Sequence, residues 1–419
     1  MLDKGTKFHG NKRELGPSKR HDSRSERELL RFRKTTVIAN MPKHLFVTGA
    51  SGFVGKETVR KILAARDDFS CSLLVRTAES AEAAAQNLSA LERNRIRFVP
   101  GDLVMGDYAV PSGTDMVVHL AASTSFEQEK RAEITAVNLE GTRTLVKKAK
   151  KAGVPSFVYM GTAYAAGHET GLIPEGFFDR PPAFKNPYEE SKYDAELLIR
   201  SARFEQETII RPSIIMGDSK SFDSHGDNRG FYGYIYSLFR VARAHLGGDH
   251  KFWKYWSGAE NCANRMDLNV RLAGHDDVKK NIVTIDYVVD ATERILTDER
   301  YLGRTYNLVN NYIAVREAAD AIEDGLRVTG FKYVPSLALE EINKGNRAEV
   351  KAFQTTRLYH PYTIKSDPNW ETTNAARLGI EPTPMTLELF RELTKGKISE
   401  FRSFALSGDS TGRTGRKST

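Results

Sequence analysis

The chain has little cysteine, with only Cys71 and Cys262 among 419 residues. So few thiols exclude a disulfide scaffold and a Cys-rich zinc site. They suit a reducing compartment, and a cytoplasmic location is expected. Long apolar runs are missing as well. Hydrophobic residues make up 40%, yet no run reaches the roughly 18 residues needed to cross a bilayer, so a soluble chain without a membrane span is expected. Internal repeats and metal-ligand spacings are absent too. The body also lacks an excess of either charge. The formal net charge of +8 lies at the ends: residues 1–40 hold eleven Lys/Arg against five Asp/Glu, Ser407–Thr419 three against one, and residues 41–406 balance. A neutral body argues against a nucleic-acid partner.

Length allows one large α/β domain and a smaller one. Residues 1–40 are polar and lack the apolar core of about 7–15 residues that marks a secretory signal. They are expected to be a disordered basic leader. Met41 is a candidate native start, because MPKHLFVTG enters a strand almost at once. A nucleotide-binding domain is expected over 41–216 and a mainly substrate-binding subdomain over 217–406. Parts of the latter around 281–310 should return to the first core. The tail 407–419 is Gly/Ser/Thr/basic and expected to be disordered.

The first strong pattern is HLFVTGASGFVGKETVRKILAARDD, residues 44–68. His44–Thr48 reads as a strand and Phe53–Ala65 as a helix. Between them Gly49, Gly52 and Gly55 form Gly-x-x-Gly-x-x-Gly, with Ser51, Phe53 and Val54 beside them. One glycine permits a tight turn, the next a close pyrophosphate, the third helix-on-strand packing. The helix N-terminus then meets the phosphate with free N–H groups. The next strand, Cys71–Val75, ends in Arg76, where NAD sites carry an acid for the ribose hydroxyl. An arginine there either meets a 2′-phosphate, which favours NADPH over NADH, or is a solvated strand end.

The alternation continues as a doubly wound parallel sheet. Ile96–Val99 leads into Gly101-Asp102-Leu103, with Asp102 either at the adenine or closing an Asx turn. Met116–Leu120 ends at the small Ala121 and Ala122, and His119 reads as a packed core histidine. Asn138 precedes a helix expected over Glu140–Ala152, whose lysines look like a solvated face. Ser156–Met160 delivers Gly161-Thr162-Ala163-Tyr164 to the carboxyl edge of the sheet, where such folds bind ligands.

In NPYEESK, residues 186–192, Tyr188 and Lys192 stand one helical turn apart. An ammonium beside a phenol lowers its pKa from about 10. A nicotinamide reaction needs an acid for the developing alkoxide, a second donor to that oxygen and a cation near the phenol. Tyr188, Thr162 and Lys192 suit those roles.

With these residues the chain resembles the extended short-chain dehydrogenase/reductase family over about 43–395. The marks are TGASGFVG, GDL, VVHLAA, VNLEGT, Thr162 and YEESK. The stretches FVYMGTAYAAG, NPYEESKYDAE, IIRPSIIMGDS and NIVTIDYVVDA look like its thioester-reductase branch, which includes the male-sterility-type fatty acyl-CoA reductases. The resemblance implies a Rossmann-type α/β fold with a smaller C-terminal substrate-binding subdomain. It also implies NADPH-dependent reduction of a CoA- or carrier-bound acyl thioester to aldehyde or alcohol. By that likeness the glycines hold the phosphates, Arg76 the 2′-phosphate and Asp102 with Leu103 the adenine. Ala121, Ala122, Pro212 and Ser213 flank the cofactor, and Lys192 also holds the nicotinamide ribose.

The chain departs from the branch at KSFDSHGD after GDS, and in the aromatic stretch 231–258. Phe231, Tyr232, Tyr234, Tyr236 and Phe239 either line a substrate pocket or pack the smaller core. The donor stays open: acyl-CoA, a separate acyl carrier protein, or no thioester. Nucleotide-sugar epimerisation or dehydration and ketone reduction use the same scaffold. A non-catalytic NADP(H) sensor is the alternative of another class.

Overall fold

Each core strand of the main sheet is apolar on both faces, as a strand covered by helices on each side must be. In β1 (Lys43–Thr48), Leu45 and Val47 enter one core and Phe46 the other. The computed structural model describes residues 43–177, 183–258, 265–335 and 347–406. The expectations for residues 1–40, Met41, Cys262 and the tail 407–419 lie outside these. Cys71 is buried.

Seven parallel strands form the sheet. After β1 come β2 (Phe69–Val75), β3 (Ile96–Pro100), β4 (Met116–His119), β5 (Ser156–Met160), β6 (Gln206–Pro212) and, after excursions into the second lobe, β10 (Thr305–Leu308). Their order is β10-β6-β5-β4-β1-β2-β3. The order of strand addition reverses between β1 and β4, which remain parallel, and that switch point opens a crevice at the carboxyl ends. Helix α1 (Phe53–Ala65) buries Val59, Ile62 and Leu63 on one face of the sheet. Helix α6 (Ile285–Thr297) packs against α1 on the same side. Helices α2 (Thr142–Lys151) and α3 (Pro187–Ala202) cover the other face through Leu145, Val146, Ala195 and Ile199.

One boundary differs from the sequence expectation. The helix placed at Glu140–Ala152 is already winding at Arg131–Thr135. It runs through a π-helical stretch, Ala136–Gly141, into α2. Gly141 is a packing residue within this run, because a Cβ there would meet the Leu103 side chain. Asn138 therefore lies within the helical run rather than before it.

The second lobe has its own core. Strands β7 (Ile214–Met216), β9 (Lys279–Thr284) and β11 (Tyr312–Ala314) form a three-stranded sheet; β8 (Met266–Ala273) and β12 (Val328–Val334) pair separately. Around them pack α4 (Phe231–His245), α5 (Asp249–Gly258), α7 (Val315–Leu326), α8 (Arg347–Thr356) and α9 (Leu387–Leu406). The aromatic stretch divides between its two readings along the helical period. Tyr232, Tyr236 and Phe239 pack inward, with Phe239 5.2–5.6 Å from the rings of Phe252, Trp253 and Phe401. Phe231 and Tyr234 face a cavity.

The glycine turn is sterically committed. Gly49 has φ +75°, and a Cβ there would stand 2.5 Å from the Ala121 nitrogen. At Gly55 a Cβ would fall on the Gly49 carbonyl oxygen, whereas at Gly52 the closest atom would be 3.2 Å away. Gly55→Ala should therefore destabilise by about 1–3 kcal/mol through overpacking, and Gly52→Ala by less. Urea unfolding midpoints of the two variants check the order.

Candidate active site

One cavity of about 610 Å³ runs along the crevice, lined by the glycine turn at one end and rings at the other. Every site residue read from the sequence borders it: Gly49, Ser51, Gly52, Phe53, Val54, Gly55, Arg76, Asp102, Leu103, Ala121, Ala122, Thr162, Tyr188, Lys192, Pro212 and Ser213. The reason is topological. Each lies at a strand's carboxyl end or on the first turns of the helix that follows.

The nucleotide end fits a phosphate-bearing ligand. Helix α1 starts at Gly52 with no side-chain cap and no acid in its first turn, so its leading N–H groups are left for an anion. The Arg76 guanidinium is 71% exposed and 3.8 Å from Asp102. Asp102 Oδ1 accepts from the N–H groups of Val104 (2.7 Å) and Met105 (3.1 Å), the Asx-turn arrangement. At the opposite end the Ser213 hydroxyl is buried with no hydrogen-bond partner among the described residues. A buried orphan of this kind is expected to be met by a ligand. Together these features fit a nicotinamide dinucleotide.

The Thr162 side chain lies near the Tyr188 phenol and favours its charged form. The threonine hydroxyl accepts from the Tyr164 N–H at 3.2 Å. Asn186 caps α3 by accepting from the Glu189 N–H, and Pro187 occupies its first turn. A fixed φ and a satisfied end donor suit a helix start. That start sets Tyr188 beside the β5 terminus, and Lys192 one turn on. The Lys192 amine donates to the Met160 carbonyl at 2.6 Å and lies 4.2 Å from the centre of the Tyr159 ring.

The electrostatics correct the sequence expectation. Burial pushes the Tyr188 phenol up to about 12, above its usual range, although the Thr162 side chain and the Arg229 cation pull the other way. Burial likewise brings the Lys192 ammonium down to about 7, opposed by Glu196. Desolvation disfavours both charged forms and outweighs the one-turn spacing. His119 is the packed histidine expected, bonded to Thr48 (2.6 Å) and Thr142 (2.8 Å), and burial lowers it to about 3.

Several neighbours were not read as site residues from the sequence. Asn138, inside the π-helical stretch, donates to the Ser123 carbonyl and the Ser191 hydroxyl, both at 2.9 Å, and accepts from the Ser123 N–H. It ties the cavity loop to the helix turn that carries Lys192. Lys280 of β9 reaches Asp367 at 2.5 Å, and Asp367 also accepts from Tyr164 at 2.7 Å. Tyr362 donates to the fully buried Glu189 at 2.7 Å and accepts from Asn186 at 2.6 Å. Burial raises Glu189 and lowers Lys280. Phe126 and Tyr359 add two more rings to the wall. Asn138 lies in VNLEGT, Glu189 in YEESK and Tyr164 two residues from Thr162, whereas Phe126, Tyr359, Tyr362 and Asp367 lie outside every quoted motif.

Fold and glycine turn place the chain in the extended short-chain dehydrogenase/reductase class, whose members are NAD(P)-dependent oxidoreductase-type enzymes. Within it the chain belongs to the family described as Male sterility protein, which it matches over residues 47–292. It is 34% identical over 163 residues to a dTDP-glucose 4,6-dehydratase of Streptomyces griseus (38% of this chain, 49% of that protein). It is 30% identical over 187 residues to a UDP-glucose 4-epimerase of Vibrio cholerae (42% and 53%). The match thus spans about half of each curated relative. Among solved structures, the terminal R domain of the myxalamid PKS-NRPS biosynthetic pathway superposes with TM-score 0.67 at 16% identity, over 87% of this chain and 93% of that one. At that identity it shows a shared fold. Among the described residues no helix is long and apolar enough to cross a membrane.

A lysine held below its solution pKa costs stability while charged. Folded and unfolded states both carry the proton below pH 7, so the cost is full there. Between about 7 and the solution value the folded state binds fewer protons, and stability recovers as pH rises. Lys192→Met should therefore raise Tm, and by more at pH 6 than at pH 9, in calorimetric melts.

Proposed function

We propose that the protein is an NADPH-dependent reductase of an acyl thioester, giving an aldehyde or alcohol. One observation carries the reading: Thr162, Tyr188 and Lys192 share a cavity with the glycine turn. NADPH, when bound, supplies the hydride. Tyr188, protonated through the neutral range, gives its proton to the thioester carbonyl oxygen, which Thr162 holds by a hydrogen bond. The tyrosine takes that proton back as the C–S bond breaks. Aldehyde forms, and the departing thiolate draws a proton from solvent. Lys192 would hold the nicotinamide ribose and keep charge near the phenol. Arg76 at the nucleotide end supports NADPH over NADH. Elongated thioester carriers, CoA or an acyl carrier protein, suit a crevice open at one side.

The myxalamid neighbour, a terminal R domain of a PKS-NRPS biosynthetic pathway, supports the thioester reading by its fold. The curated relatives support a second reading, dehydration or epimerisation of a nucleotide sugar. Following NADPH absorbance against acyl-CoAs and carrier thioesters, alongside product analysis with dTDP- and UDP-glucose, separates the two. Conversion of a nucleotide sugar with no thioester-dependent oxidation would overturn the first reading.

Tyr188→Phe should lower kcat by about 10²–10⁴-fold, the usual worth of a positioned acid, while NADPH affinity by fluorescence titration changes little. Arg76→Ala should weaken NADPH and leave NADH affinity nearly unaltered, in the same titration.

A further inference from the structure

Beyond Thr162 and Tyr188 the cavity wall changes from backbone and aliphatic carbon to rings. Phe126 lies 5.8 Å from Tyr188, 5.4 Å from Tyr362 and 6.2 Å from Tyr359 between centroids. Tyr359 in turn meets Tyr234 edge-on at 5.3 Å. The Tyr234 and Tyr333 hydroxyls stand 2.5 Å apart. All of these line the cavity. Their arrangement, tilted and edge-to-face, is the one that accepts a further ring.

The hydroxyls decide what such a ring would carry. Tyr362 is satisfied by Glu189 and Asn186. The Tyr234–Tyr333 pair shares one proton, so one O–H remains to donate. The Tyr359 hydroxyl has no hydrogen-bond partner among the described residues. It sits against Gly233, where any Cβ would fall on its oxygen, so the glycine makes room for it. A saturated chain laid along this wall would cover these groups and leave them unpaired, a costly burial. An oxygen on the substrate would pair with them.

We propose that the acyl group is a compact aryl group bearing a hydroxyl or carbonyl oxygen, seated among these rings with that oxygen at Tyr359 and the Tyr234–Tyr333 pair. The inference rests on the thioester-reductase reading and names its substrate class. Side chains of α4, β12 and the segment around Tyr359 then act as the specificity wall, distant in sequence from the dinucleotide motif.

The test measures binding and turnover separately. Calorimetry on the full chain loaded with NADP⁺ compares 4-hydroxybenzyl alcohol, benzyl alcohol and 1-octanol. The hydroxylated ring should bind about 2–10-fold more tightly than the plain ring, the worth of one neutral hydrogen bond, and more tightly than octanol. Tyr359→Phe should shrink the difference between the two rings, a readout that a purely structural tyrosine would not move. If that variant fails to fold, the wild-type order alone decides. Octanol binding as tightly as the hydroxylated ring, or a ring preference unchanged in folded Tyr359→Phe, would overturn the inference. In parallel, NADPH oxidation is followed with 4-hydroxybenzoyl-CoA and octanoyl-CoA. A higher kcat/KM for octanoyl-CoA overturns the inference and leaves the reductase reading intact. Oxidation by neither thioester overturns the reductase reading instead, whichever alcohol binds.

Discussion

Lys192 lies 3% exposed between the end of a strand and a tyrosine ring, with its amine turned to the Met160 carbonyl. Keeping an ammonium there costs free energy that solvent would otherwise repay, and the helix bearing it must be held firmly. The surrounding structure does that holding. Asn186 and Pro187 start the helix, Asn138 and Ser191 tie its first turns to the cavity loop, and Ala195 and Ile199 sink into the sheet. Farther along, Glu196 of the same helix meets the buried Arg211 guanidinium of β6. The turn that bears Tyr188 and Lys192 is thereby anchored at three depths.

That anchoring explains how a tyrosine whose phenol is disfavoured as an anion suits the proposed chemistry. A general acid must hold its proton until the substrate oxygen develops charge. Burial keeps Tyr188 protonated, while Thr162 and the Arg229 cation lie near enough to favour its charged form. The stretch after GDS, which departs from the related branch, brings that arginine to the cavity. Its loop is fastened at both sides. Lys56 donates to the His225 carbonyl at 3.1 Å, and Ser224 pairs with Glu400, itself bonded to the buried Lys397. The loop that carries Arg229 to the cavity is thus held by both the first helix and the last helix of the described chain.

The parallel sheet and the glycine-turn end of the cavity were legible from local pattern. His44–Thr48, Phe53–Ala65 and Ser156–Met160 differ from the observed elements by at most one residue. These elements are short in sequence, and their apolar period is set by the local backbone. The expected start at Glu140 missed the run from Arg131 because Ala136–Gly141 winds as a π-helix, which the α-helical period does not describe. The aromatic stretch was undecided for another reason. One helical period placed Phe231 and Tyr234 at the cavity and Tyr232 and Phe239 in the core.

The sequence by itself determined the glycine turn, the positions of Thr162, Tyr188 and Lys192 and the strand ends beside them, since steric demands of glycine and helical spacing act over a few residues. Only the tertiary structure decided the protonation preferences and the substrate wall. Desolvation depends on everything packed around a group, and Phe126, Glu189, Lys280, Tyr362 and Asp367 meet across more than two hundred residues of chain. No local period can encode such a meeting.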